Sequence, residues 1–179
     1  MKRILLLCTV PLFLAACGGP STPTTDVNKQ QTERLYGTWK FNYTIGGDSF
    51  SNVYALTNLN ASKTPGEYYL AGTDEQNNVV VAGYDSKDKN FNLLDREAGF
   101  DRFFVFDMAS ETSAKGCYYQ INMTNSTISD CYEMTGTRTS AGVALSIPKA
   151  ATQERVMPSS AANGSAVLHK YLDLKTLAN

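Results

Sequence analysis

Few residues in this chain of 179 amino acids could do chemistry: it contains one histidine and four cysteines. His169 lies beside Lys170, and Asp173 would follow one turn later if the segment is helical. A Ser-His-Asp triad is a spatial arrangement, so the sequence leaves it open. However, the chain has no Gly-x-Ser-x-Gly nucleophile elbow. We therefore interpret His169 as a packing or surface residue.

Carboxylate pairs could also supply an acid and a base. The candidates are Asp85 with Asp88, Asp95 with Glu97, and Asp101 with Asp107. The first pair lies in a turn with two lysines, the second brackets Arg96, and the third opens an aromatic strand beside Arg102. We expect solvated groups and structural ion pairs here, and we predict that the protein is not an enzyme.

Metals, cofactors and nucleic acids are poor candidates for binding. A single histidine and no third ligand at metal-binding spacing predict no metal site. No phosphate-cradling glycine loop is present, and no cofactor is predicted. The formal net charge is −1, without a basic stripe, which argues against a nucleic-acid partner.

The first 16 residues have the composition of an export signal. Lys2 and Arg3 precede an apolar run over residues 4–14, and small residues follow. That run of about 11 residues is shorter than the ~20 that cross a bilayer as a helix. A cleaved signal over residues 1–16 is therefore predicted.

The signal ends in Leu14-Ala15-Ala16-Cys17, which resembles the lipobox of bacterial lipoproteins. The resemblance implies that Cys17 is acylated, for instance with palmitate, and becomes the new N-terminus. Gly18 in place of aspartate implies anchoring to the lipid of the outer membrane, with the domain facing either the periplasm or the exterior. The alternative is an ordinary secretory signal that is cleaved after Ala16.

The mature chain is predicted to contain a tether and one domain. Residues 17–33 carry Pro20, Pro23 and many polar residues, so we expect a flexible lipidated tether. From residue 34 the pattern changes to that of a single β domain ending at residue 179. In 36–45, Trp39, Phe41 and Tyr43 alternate with polar residues, as in a half-buried strand.

Further strands are predicted at 50–56, 67–72, 79–84, 91–95, 102–108, 116–123 and 127–134. Connections this short exclude parallel crossovers, so we expect an antiparallel meander. Residues 135–142 are predicted as a loop and 143–147 as one more strand. Residues 166–177 fit a short C-terminal helix or a final strand.

Cys117 and Cys131 form an even pair in an exported chain, which predicts a disulfide. If they face each other across a hairpin, Asn122 faces Ser126, and residues 123–125 form a three-residue loop. Asn125 would then occupy the left-handed position of that loop.

Gly37-Thr38-Trp39 resembles the Gly-x-Trp motif that opens lipocalins and related small barrels. The resemblance implies that Trp39 plugs the closed end of a barrel and packs against an arginine of the last strand, here Arg138. The predicted fold is thus all-β, a lipocalin-like barrel of eight to ten antiparallel strands.

Aromatic residues are numerous: ten Tyr, eight Phe and one Trp. Most inward rings are expected to fill a core. Our first functional hypothesis is a non-catalytic module that binds a small apolar ligand inside the barrel, lined by Trp39, Phe41, Tyr43, Phe104 and Phe106. The second is a protein-interaction lipoprotein that binds a host or envelope protein through exposed tyrosines and the loops near Lys63 or Asp88. Its role would be host contact, hydrolase inhibition or envelope assembly.

Overall fold

The computed structural model describes residues 26–97, 99–122, 124–125 and 127–141, together with Tyr171, Leu174 and Lys175. The signal, Cys17, residues 143–147 and His169 lie outside the described residues. The described elements are α1 (Val27–Glu33), β1 (Gly37–Ile45), β2 (Asp48–Ala61), β3 (Tyr68–Asp74), β4 (Val79–Asp85), β5 (Asn90–Arg96), β6 (Phe100–Ser110), β7 (Ser113–Asn122), β8 (Thr127–Ile128) and β9 (Tyr132–Ala141).

The strands form one closed sheet. Their order is β6-β5-β4-β3-β2-β1-β9-β7, and the pairing of β6 with β7 closes the ring of eight antiparallel strands. The two-residue β8 pairs with the end of β7. The all-β antiparallel barrel predicted from the sequence is therefore confirmed, and its architecture matches that of a lipocalin-like barrel.

The predicted alternation of β1 is confirmed. Trp39, Phe41 and Tyr43 are buried, while Lys40 and Asn42 are exposed. Because successive side chains of a strand point to opposite faces, one face of β1 supplies the barrel interior and the other contacts solvent.

Rings fill much of that interior. Phe41 lies 5.3 Å from Phe104 and 5.2 Å from Phe106 between ring centroids. Its ring is also stacked on Trp39 at 6.1 Å and tilted against Tyr54 at 5.8 Å. These centroid distances are those of favourable offset and edge contacts between aromatic rings. The centre of the barrel is therefore a continuous aromatic core.

β9 corrects one prediction. Residues 135–142 were expected to form a loop, yet β9 continues to Ala141 and pairs with β1 along Gly37–Tyr43. Its inward position 136 is a glycine, and a Cβ atom there would overlap the ring of Phe41. The ring of Phe41 thus occupies the volume that a side chain at position 136 would otherwise fill.

One end of the barrel is closed by Trp39 and α1. The guanidinium of Arg138 lies 4.9 Å from the centroid of the Trp39 ring, which confirms the partnership implied by the lipocalin resemblance. Arg138 Nη2 donates to the carbonyl oxygen of Arg34, and Trp39 Nε1 donates to the carbonyl oxygen of Leu35 at 2.9 Å. We call this the closed end.

Residues 27–33, expected to lie in a flexible tether, instead form α1. Asp26 caps the helix, since its Oδ1 accepts from the backbone N–H groups of Asn28 and Lys29 at 3.1 and 3.2 Å. The buried Thr32 donates to the carbonyl oxygen of Tyr68 at 3.3 Å. The cap and this contact with β3 fix the helix on the barrel.

The disulfide between Cys117 and Cys131 is confirmed, with a Cα–Cα distance of 5.2 Å. The predicted hairpin register is wrong by one residue at Asn122, which pairs with Thr127, and by two residues at Cys117, which pairs with Glu133. Cys131 lies in the irregular segment between β8 and β9 rather than in a ladder. The predicted strand over 127–134 is therefore divided into two.

A second apolar cluster lies on the outer face of the sheet. Val81, Leu94 and Phe103 pack there with Tyr171 and Leu174 of the C-terminal segment. Tyr171 has helical backbone, and its hydroxyl donates to the buried Asp101 Oδ2 at 2.6 Å. Tyr171 and Leu174 therefore pack on the outside of the barrel.

Candidate binding site

The site begins where β1 and β9 separate. Tyr43 and Met134 are their last paired residues, while β1 continues to Ile45 and pairs there with β2 alone. β9 continues in the opposite direction to Tyr132 and pairs there with β7. The tip of the β1–β2 hairpin therefore stands apart from the β7–β9 pair.

A groove of about 1110 Å³ occupies this position. It contains residues of both faces of the sheet, because the separation of the strands exposes inward as well as outward side chains. Its lining residues are Asn42, Tyr43, Thr44, Ser49, Phe50, Ser51, Lys115, Gly116, Cys117, Cys131, Glu133, Met134 and Thr135. The groove lies toward the end of the barrel opposite Trp39, which we call the open end.

Two rings form the aromatic part of the groove. Phe50 is 45% exposed and stacks on Tyr43 with a centroid distance of 5.9 Å and an interplanar angle of 18°. Tyr43 in turn stacks on Tyr118 at 4.2 Å, and its hydroxyl donates to Asn52 Oδ1 at 2.6 Å. The exposed ring of Phe50 thus rests on a fixed buried stack.

Behind Tyr43, a charged network lies inside the barrel. Asp95 of β5 and Arg102 of β6 are directly opposite each other in the ladder, and Arg102 Nε donates to Asp95 Oδ2 at 2.8 Å. The hydroxyl of Tyr54 donates to the same oxygen at 3.0 Å. Asp95 is fully buried, and its Oδ1 has no hydrogen-bond partner within the described part of the chain.

Two more carboxylates approach the Arg102 guanidinium. Its Nη2 lies 3.3 Å from Glu97 Oε2 and 4.0 Å from Asp74 Oδ2. Burial raises the pKa of Asp95, and the attraction of Arg102 only partly offsets this effect. Burial alone would lower the pKa of Arg102, but Asp95 and its other anionic neighbours raise it. The arginine therefore remains a cation that binds these carboxylates together.

The tyrosines beside the network remain neutral donors. Burial raises the pKa of Tyr43, and burial with the nearby Asp95 carboxylate raises that of Tyr54 well above its ordinary value. Burial, followed by the effect of Tyr43, also raises the pKa of Tyr118.

The five predicted ligand-lining residues do not all lie in the groove. Trp39, Phe41, Phe104 and Phe106 lie in the aromatic core, whereas Tyr43 belongs both to that core and to the groove. The loops near Lys63 and Asp88 connect β2 to β3 and β4 to β5, which places them at the closed end. The sequence analysis did not identify Phe50, Lys115 or Glu133 as site residues.

Several of the candidate carboxylates make contacts within the fold. Asp95 and Glu97 both contact Arg102, and Asp101 accepts from Tyr171. Asp85 Oδ1 accepts from the backbone N–H groups of Lys87 and Asp88 within a turn. In the described ranges, no group of three or more histidine, cysteine, aspartate or glutamate residues could hold a metal ion.

No protein-family model matches the chain, and no curated protein sequence matches it. Of the helices that the structure describes, none is long and apolar enough to span a bilayer.

Proposed function

We propose that the protein is a lipid-anchored, non-catalytic binding module of the bacterial outer membrane that takes its ligand in the groove. The lipid anchor rests on the lipobox-like Leu14-Ala15-Ala16-Cys17, and the binding role rests on the barrel. One observation carries the choice of site: the groove of about 1110 Å³ beside an interior whose rings already contact one another.

A small apolar ligand inside the barrel remains a prediction, and it requires rearrangement of the core. Such a ligand would have to displace rings such as Phe41 and Phe104, whose centroids are 5.3 Å apart. A close-packed core resists insertion of extra volume. The groove requires no such displacement, which is why we place the ligand there.

The anchor is tested by growing cells with labelled palmitate. The full chain should incorporate the label, and Cys17→Ala should abolish incorporation. Cys117→Ala is the matched control, because Cys117 is bonded to Cys131 and should not accept lipid. Equal labelling of the wild-type chain and Cys17→Ala would contradict the anchor.

The groove is tested with the full chain immobilised from detergent. Lipid extract, membrane protein and surface glycan fractions of the envelope are passed over it separately. We expect retention of one fraction, lost in Phe50→Ala and in Lys115→Ala. Val79→Ala and Lys40→Ala are the matched controls, because these exposed residues lie outside the groove. Failure to retain any fraction, or retention that the groove variants leave unchanged, would contradict this function.

A further inference from the structure

We propose that the ligand of the groove is a neutral oligosaccharide chain. This inference rests on the proposed function, since it names the ligand class for the same groove. Three properties of the lining residues lead to it: an exposed aromatic face, a set of uncharged polar groups, and a pair of opposite charges.

The aromatic face is that of Phe50. A pyranose ring presents C–H groups on its faces and hydroxyl groups around its edge, so its faces pack on the electron-rich face of an aromatic ring. Phe50 is exposed on one side and held by Tyr43 at 5.9 Å. Because the stack of Tyr43 on Tyr118 continues into the core, the platform is already in place before a ligand arrives.

The groove also contains polar side chains, which project from the outer face of the sheet because they alternate along β1 and β2 with the inward Tyr43 and Phe50. Five of them carry hydroxyl or amide groups: Asn42, Thr44, Ser49, Ser51 and Thr135. Each can both donate and accept hydrogen bonds, as sugar hydroxyls do. None of these five side chains hydrogen-bonds to the part of the chain that the structure describes, so their groups are available to a ligand.

Charge in the groove is balanced. Lys115 supplies three donors and Glu133 supplies acceptor oxygens, and both side chains are exposed. Lys115 lies opposite Thr135 and Glu133 lies opposite Cys117, so the two charges project from the same outer face. Because the two charges offset each other, the pair gives no net attraction to a strongly anionic or cationic ligand, while both side chains can hydrogen-bond to a neutral polyhydroxyl ligand.

The dimensions favour a chain over a single small molecule. Pockets for small molecules measure ~300–1,000 Å³ and enclose most of the ligand. The groove here is larger, at about 1110 Å³, and is open where β1 and β9 lose their pairing after Tyr43. An extended oligomer can therefore enter it sideways. The disulfide between Cys117 and Cys131 fixes one wall, which lowers the cost of ordering that wall on binding.

A bound peptide fits these observations less well. Strand addition requires a free edge, and on β1 only Thr44 and Ile45 lack a β9 partner. Apolar peptide side chains would also need apolar pockets, but most of the lining residues are polar. We therefore treat peptide binding as an outcome of the test.

The test uses the full chain in detergent and ligand-observed saturation-transfer NMR. The probes are tetrasaccharides of β-1,4-linked N-acetylglucosamine, β-1,4-linked glucose and α-1,4-linked glucose. We expect a Kd of ~1 mM for such a probe, and each is used at a concentration about tenfold above that value. We expect saturation of the ring C–H protons of at least one probe. Phe50→Ala should weaken its binding by about tenfold or more, whereas Val79→Ala should leave it unchanged.

Absence of saturation for all three probes would overturn the proposal, as would binding that Phe50→Ala leaves unchanged. If the probes fail while the protein or lipid fraction is retained in a Phe50-dependent way, the ligand class is wrong and the proposed function stands. If no fraction is retained through the groove, the proposed function fails as well.

Discussion

The guanidinium of Arg138 lies over the ring of Trp39, 4.9 Å from its centroid, and bonds through Nη2 to the carbonyl oxygen of Arg34. These contacts join the first strand, the last described strand and the segment after α1. Burial lowers the pKa of Arg138, although the side chain remains a cation because a guanidinium group is not deprotonated in proteins.

Arg138→Ala should therefore destabilise the fold. Loss of the cation–π contact and of the hydrogen bond is expected to lower the free energy of unfolding by about 1–3 kcal/mol. Urea denaturation measures this change. Lys40→Ala, on the exposed face of β1, should change it by less than about 0.5 kcal/mol. Equal effects of the two substitutions would contradict the role of Arg138.

Gly136→Ala should destabilise the protein because the new Cβ atom would overlap the Phe41 ring. Such overpacking costs about 1–3 kcal/mol. In a double-mutant cycle, Phe41→Leu should relieve part of this cost, so the two changes together destabilise less than their sum. Strict additivity in urea titrations would show that Phe41 does not fill the space beside Gly136.

Asp95 should make stability depend on pH with a defined sign. Its pKa is raised in the folded state, so above the unfolded value of ~3.9 the folded protein binds more protons than the unfolded chain. The contribution of Asp95 to stability therefore falls as pH rises from about 4. Asp95→Asn does not titrate and serves as the reference.

The measurement is the urea midpoint of both proteins between pH 3 and pH 7. We expect the stability of the wild-type chain to fall relative to that of Asp95→Asn as pH increases. A difference that is constant, or that changes in favour of the wild-type chain, would contradict burial as the dominant effect on this carboxyl group.

Reduction of the disulfide should lower the melting temperature. In the chain-entropy model, opening a loop of about 15 residues lowers the free energy of unfolding by roughly 3 kcal/mol. For a domain of this size, that corresponds to a fall in the melting temperature of about 6–12 °C. Cys117→Ala/Cys131→Ala is the control, because reductant should not change its melting temperature. The prediction is contradicted if reductant leaves the wild-type value unchanged.

Tyr171→Phe should weaken the packing of Tyr171 on the outer face of the barrel. The substitution removes the hydrogen bond to the buried Asp101, and an unsatisfied buried acceptor costs about 1–3 kcal/mol. Tyr69→Phe lies in the same outer cluster and removes a hydroxyl without a hydrogen bond to the described residues. Chemical denaturation should separate the two variants, and indistinguishable curves would count against the contact.

Strands were predicted best from the sequence where large apolar side chains alternate with polar ones. Trp39, Phe41 and Tyr43 on β1 are examples, because each inward position carries a large apolar group. β9 lacks this signal. Its inward position 136 is a glycine and 138 is an arginine that covers Trp39, so this strand has the composition of a polar loop.

The site depends on relationships that the order of residues does not contain. Asp95 and Arg102 were assigned to separate groups, and only the β5–β6 register brings them face to face. The groove arises where β1 and β9 lose their pairing after Tyr43, and nothing in the residue types marks that position. The disulfide was predictable from cysteine count, whereas its register was not, because Cys131 lies outside the ladders.

The position of α1 determines where the groove lies relative to the N-terminal part of the chain. The helix joins the barrel near Trp39, so the polypeptide enters at the end remote from the Phe50 platform. Strands of nine or ten residues separate the two ends by ~20–30 Å, given a rise of ~3.3 Å per residue and the tilt of a barrel. If the chain is anchored through Cys17, as we propose, the Phe50 platform would therefore lie at the end of the barrel that faces away from the membrane.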